Sequence, residues 1–354
     1  MKHSLLFLAY AISLCLICVN ISPSSRLIVA LPSSQIICSH FGQSIQDNLQ
    51  EPASGNSISP YEIKRYIDEH QRDEHISLEP YWHQLGIKTE ELEKYGKYKA
   101  EVFALDLDHK EGPEVMLRLY DNSGWSNGAV RYLLFKPSKS DQRTKWRLLG
   151  YVYLDDLRYS LPEHRVVSSG ESHWLVLTVL VGSGSGYGLY HDQWYEITAG
   201  GLKEVFECPA KKFVSWGDPY PILEAESKII STPTETGTTK VVIEFSASYV
   251  LYNDGREDQK TKLWSKKQRA VFVRQIESEE FKFDEQSSEL SQVEFNAVYE
   301  GEGPSDIEIL RYNFASLENI ALGKDEKLKG WLRSYLIKCK ETDEKEKLLK
   351  SLSL

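Results

Sequence analysis

The sequence predicts a mainly β protein of antiparallel four-stranded meanders, partial-propeller-like or sandwich in arrangement, flanked by helices at both ends. Three observations predict it. Trp174 to Val181 is an unbroken run of large apolar and β-branched residues, the composition of a strand covered on both faces. From Gly182 to Gly188 every second residue is glycine, a pattern no helix would tolerate, and Leu189 to Ile197 then resumes with aromatics that suit a pleated surface. Val241, Ile243, Phe245, Ala247, Tyr249 and Leu251 alternate strictly, as a strand with one buried face requires.

Length and composition set the outer limits. A chain of 354 residues holds one large domain or two ordinary ones, and buries enough surface to need no disulfide staples. Hydrophobic content of 41% and charged content of 27% are ordinary for a globular protein. A formal net charge of -10 argues against nucleic acid or an anionic membrane surface as the main partner, because both reward positive charge.

The first residues read as an address. Lys2 and His3 precede an apolar run from Leu5 to Val19, followed by Asn20 and the turn-like Ser22-Pro23-Ser24-Ser25. This is the layout of a secretory signal peptide and predicts a secreted or periplasmic protein. The alternative is a membrane anchor through residues 4–21, for which the apolar run is slightly short. Cys15 and Cys18 would leave with the signal, and Cys38, Cys208 and Cys339 would remain. Cys208 and Cys339 read either as a disulfide or as two buried thiols.

In chain order, residues 1–25 are the signal and residues 26–58 a flexible leader. Residues 59–96 form an N-terminal helical segment, 97–300 a β-rich core and 301–354 a C-terminal helical segment. Ser59-Pro60-Tyr61-Glu62 joins a capping residue, a proline at the first helical position and a glutamate three residues after the cap, so a helix from Pro60 to about Arg72 is expected. Thr89 and Gly96 bracket a second, from Glu90 to Tyr95.

Twelve strands follow in three groups. The first comprises Lys99–Leu107, Glu114–Tyr120, Ala129–Lys136 and Trp146–Leu154. The second comprises His164–Val167, Trp174–Val181, Leu189–Ile197 and Leu202–Glu207. Ile222–Ile230, Lys240–Tyr252, Ala270–Ile276 and Glu280–Phe283 make the third. They resemble three divergent copies of one meander, too few to close a propeller. From Ser305 a helical stripe runs to Gly323, another carries Leu328, Trp331, Leu332, Tyr335, Leu336 and Cys339, and a last short helix carries Leu348, Leu349 and Leu352.

Two stretches offer chemistry. Asp106, Asp108 and Glu114 place carboxylates around a glycine-containing turn, a donor set that suits calcium. Their Asp-x-Asp-x-x-x-x-x-Glu spacing resembles the acidic hairpin of FG-GAP-type propeller blades, over this hairpin alone. Lys110 stands where that pattern has a ligand, and Gly112 falls one residue late. Calcium is thus the one cofactor the sequence suggests. The second stretch is a binding surface of Trp125, a tryptophan among polar turn residues, with Ser183, Ser185 and Tyr187 of a flexible glycine tip. That tip lacks the endings of a phosphate loop and of a nucleophile elbow. His164, His173 and His191 read as structural, and Asp192 cannot orient His191 because adjacent strand residues face opposite sides.

The expectation is therefore a secreted, non-catalytic, β-rich binding or interaction protein, its partner a protein or a carbohydrate. A membrane is a partner only if the N-terminal segment stays attached. The alternative is an extracytoplasmic hydrolase using carboxylates near Asp106 and Asp108, with a metal.

Overall fold

A computed structural model describes residues 58–73, 76–87, 95–107, 112–121, 128–140, 143–157, 161–170, 172–184, 186–198, 201–215, 217, 219–235, 237–252, 260–275, 278, 280–300 and 306–353. The fold is mainly β and antiparallel throughout, with helices at both ends, as the sequence predicts.

The N-terminal part comprises α1 (Pro60–Glu69), β1 (Ile76–Ser77), α2 (Glu79–Leu85) and β2 (Tyr95–Gly96). The box foreseen at α1 is formed: Ser59 Oγ accepts from the Tyr61 N–H, and Glu62 Oε2 accepts from the Ser59 N–H. The helix stops at Glu69, three residues short of the expected Arg72, where the His70 N–H closes on the Tyr66 and Ile67 carbonyls. α2 was not foreseen, although Pro80 opens it and the left-handed Gly86 ends it. The expected helix over Glu90 to Tyr95 is corrected at its end, because Tyr95 and Gly96 pair with Ser77 and Ile76 as strand. Residues 88–94 lie outside the described set.

The first sheet is a meander of β3 (Tyr98–Leu105), β4 (Glu114–Asp121), β5 (Gly128–Ser140) and β6 (Arg143–Leu157). The second holds nine strands: β7 (Glu163–Ser169), β8 (Ser172–Gly184), β9 (Tyr187–Thr198), β10 (Gly201–Val214), β11 (Ile222–Ser231), β12 (Thr234–Glu235), β13 (Thr238–Tyr252), β14 (Lys260–Gln275) and β15 (Lys282–Phe283). The second and third expected groups are therefore one sheet and not separate blades, since β10 pairs with β11 from Lys211 opposite Glu226 to Val214 opposite Leu223.

Several strands are longer than read from sequence, β10 and β14 most of all. β10 runs past Pro209 because a bulge between Pro209 and Lys211 absorbs the missing N–H. β14 begins at Lys260 because its lysine-rich half is solvated on one face and pairs with β13 on its edge. The glycine tip is also shorter than expected. β8 extends to Gly184 and β9 starts at Tyr187. Gly186 has φ +99° and its carbonyl accepts from the Ser215 N–H at 2.5 Å; the tip is tethered.

The layers follow from alternation. α1 and α2 place Ile63, Ile67, Trp82 and Leu85 against Tyr98, Leu117, Leu119, Leu133 and Phe135 on one face of the first sheet. The other face, with Met116, Val130, Tyr132 and Leu134, packs on Leu175, Leu177, Val179, Tyr195 and Leu202 of β8, β9 and β10. At Gly150 the sheets almost touch: a Cβ there would stand 2.6 Å from Leu202 Cβ and 2.7 Å from its backbone nitrogen. Trp174, Val176, Trp194 and Phe206 point the other way, into a third core shared with β13, β14 and the C-terminal helices. Trp174 to Val181 is thus a strand covered on both faces, as its composition predicts.

The second sheet curls without closing. Arg274 of β14 pairs with Glu196 of β9 at 2.9 Å, the Phe281 N–H donates to the Val205 carbonyl, and the Phe206 and Phe272 rings stand 4.8 Å apart. α3 (Gln292–Phe295), the π-helical turn Asn296–Glu300, α4 (Asp306–Leu322), α5 (Glu326–Lys338) and α6 (Asp343–Leu352) supply the rest of that core. Buried Lys212 donates to the Val298 carbonyl at 2.9 Å. Cys208 and Cys339 are both buried and are not joined in a disulfide, which decides between the two readings of the sequence. Among the described residues no helix is long and apolar enough to cross a membrane; Leu5 to Val19 lies outside them.

Candidate functional site

Of the residues singled out from sequence, Asp106, Glu114, Ser183 and Tyr187 are among those described. Asp106, exposed, follows the end of β3, and Asp108 lies outside the described residues. Glu114 is fully buried: Oε2 accepts from the Leu107 N–H at 2.9 Å and Oε1 from Lys136 Nζ at 2.9 Å. A lysine already neutralises it. Trp125 and Ser185 lie outside the described residues. Ser183 pairs with Gly188 inside the hairpin ladder, and the Tyr187 ring folds back over Gly184 and onto the third core.

A polar site that sequence reading missed lies between the two sheets, on β9 and β10. β9 sends His191, Gln193 and Tyr195 to the face that meets the first sheet. Opposite them, β10 presents Glu204 across from Tyr195 and Glu207 across from Gln193. Residues three apart on a regular strand face opposite sides. The bulge between Glu204 and Phe206 inserts Val205 as an extra residue and returns Glu207 to the side of Glu204.

The geometry is that of an oriented imidazole beside a carboxyl pair. His191 Nδ1 lies 2.7 Å from Glu207 Oε1. A carboxylate only accepts, so Nδ1 carries a proton; Nε2 accepts in the neutral ring and donates in the protonated one. Nε2 is buried and has no hydrogen-bond partner among the described residues. Asp192 faces the other way, as expected, where it accepts from Thr178 Oγ1 at 2.6 Å and pairs with Arg165. The orienting carboxylate is therefore Glu207.

Glu204 and Tyr195 extend the site inward. Burial first, and the charge of Glu207 second, push the Glu204 carboxyl up to about 7. Tyr195 is buried directly across the strand pair from Glu204, and its hydroxyl donates to Gln193 Oε1 at 3.0 Å. Burial likewise raises Tyr195 far above the ordinary phenol range.

The first sheet supplies the opposite wall. Burial pushes the Tyr132 hydroxyl up to about 12, against the opposing charge of Arg118. Arg118 is held by Glu101, with Nε to Oε2 at 2.7 Å, and donates to the Pro162 carbonyl. The His164 ring lies 4.3 Å from that of Phe103, tilted by 60°, and burial first and Arg118 second lower its pKa. Glu207, about a third exposed at 33%, is the side of the site that meets water. No His/Cys/Asp/Glu group that could hold a metal ion exists among the described residues. In comparison with known proteins the chain matches no family model, no curated protein and no solved structure at a significant level.

Proposed function

We propose that this chain is an exported, non-catalytic binding protein whose seam between the sheets takes a small polyhydroxylated ligand of the carbohydrate class. The signal-like N-terminal segment supports export. The observation that carries the binding reading is the His191 ring: one nitrogen is fixed on Glu207, and the other is buried with no hydrogen-bond partner among the described residues. A ligand hydroxyl, which both donates and accepts, satisfies that nitrogen in either protonation state, and Glu207 and Gln193 add acceptors beside it.

The test is a titration of the full chain with a set of neutral monosaccharides, read on the His191 ring resonances. A saturable shift with at least one sugar, lost in Glu207→Gln at unchanged melting temperature, is expected. If no sugar moves the ring, the reading fails.

A second reading, an extracytoplasmic hydrolase, is favoured by one specific feature, the pairing of Glu204 with Glu207. It replaces Asp106 and Asp108 with these carboxylates, Glu204 serving as the protonated acid. Turnover of a chromogenic glycoside that disappears in both Glu204→Gln and Glu207→Gln would select it over simple binding.

A further inference from the structure

We infer that Arg131, on the face of the first sheet covered by α1 and α2, is a binding site for an oxyanion carried by a carboxylate or a phosphate. Arg131 is 1% exposed, and its cross-strand neighbours are Leu119 on β4 and Tyr153 on β6. The guanidinium lies between two tyrosine rings, 5.4 Å from the Tyr98 centroid and 5.2 Å from that of Tyr153. Rings hold a cation by its faces and leave its in-plane N–H groups unsatisfied.

Two of those groups identify the ligand. Nε and Nη2 are buried and have no hydrogen-bond partner among the described residues. They form the same edge of the guanidinium, the side-on fork whose parallel N–H bonds match the two oxygens of a carboxylate or phosphate. A guanidinium stays charged at any ordinary pH, so it cannot escape burial by losing its proton, as a lysine would. An unpaired buried cation is costly, and a bidentate oxyanion supplies both the missing charge and the missing acceptors. The unsatisfied edge sets the orientation: the ligand lies in the guanidinium plane, against Nε and Nη2. This site faces away from the seam that holds His191, so the two are independent.

The test titrates the full chain with inorganic phosphate and, separately, acetate, against chloride at equal ionic strength. The readouts are the Arg131 Nε–H resonance and the melting temperature. A saturable movement of the Nε–H signal and a rise of about 5 °C at saturation are expected. Whichever probe saturates at lower concentration identifies the class. Arg131→Lys keeps the charge but loses the fork, and is expected to weaken binding at least about tenfold. The wild-type resonance decides even if that variant folds poorly. The proposal is overturned if neither probe moves the signal at millimolar concentration. It is equally overturned if Asp121→Asn, two residues beyond Leu119 on β4, shifts the signal and lowers the melting temperature as Arg131→Lys does, since the partner is then a carboxylate of the chain itself.

Discussion

Glu204 and Glu207 share one face of β10 although they are three residues apart, because Val205 bulges between them. Burial first, and the neighbouring Glu207 charge second, raise the Glu204 carboxyl to about 7, against an ordinary value of 4.5. The sign follows from proton counting. Between those values the folded chain binds a proton that the unfolded chain has lost, so stability falls as pH rises through this window. Glu204→Gln removes the effect. Urea melts at about pH 5 and about pH 8 are expected to show wild type losing about 2 kcal/mol relative to the variant over that span. Parallel curves would mean that Glu204 is ionised throughout.

Gly150 decides how closely the sheets pack. A methyl group there would meet the Leu202 backbone at 2.7 Å, and backbone on β10 cannot rotate aside. Gly150→Ala is therefore expected to cost about 3 kcal/mol in chemical denaturation, as overpacking does when nothing can yield. An effect within about 0.5 kcal/mol would show that the sheets part easily.

The seam illustrates what sequence patterning reveals and what it conceals. Trp174 to Val181 is legible because two-sided burial leaves no polar residue to break the run, and Val241 to Leu251 because one-sided burial imposes strict alternation. Glu204 and Glu207 are illegible for the converse reason: alternation assigns them to opposite faces, and a bulge carries no residue signature at Val205. The lysine-rich start of β14 fails similarly. Lys267 reaches Glu244 on the adjacent strand β13 and Lys260 reaches Glu224 on β11 beyond it, pairs visible only once the register is known. Pro209 lies past the expected end of β10 at Glu207, and the second bulge accommodates it.

Leu177 tests the doubly covered strand directly. Its side chain is fully buried against the first sheet, in the same core as Tyr132 and Leu134. Leu177→Ala should cost about 3 kcal/mol, because rigid strands on both sides cannot collapse into the cavity. A loss under about 1 kcal/mol would indicate a loosely packed interface between the sheets.

The pair Lys136–Glu114 addresses the acidic hairpin in which the sequence suggested calcium. Glu114 is fully buried and Lys136 is its cation, so Lys136→Met leaves a buried carboxylate whose remaining donor is the Leu107 N–H. Removing one partner of such a pair costs about 3–5 kcal/mol, whereas removing both is far milder. Lys136→Met should therefore melt well below wild type, and the double variant Lys136→Met, Glu114→Gln should recover most of the loss. Calcium provides the decisive control. If lysine is the native counter-charge, millimolar calcium leaves wild type unchanged and at most partly rescues Lys136→Met. A calcium-dependent rise in wild type that Asp108→Ala abolishes would instead make Glu114 a ligand and Lys136 a spectator.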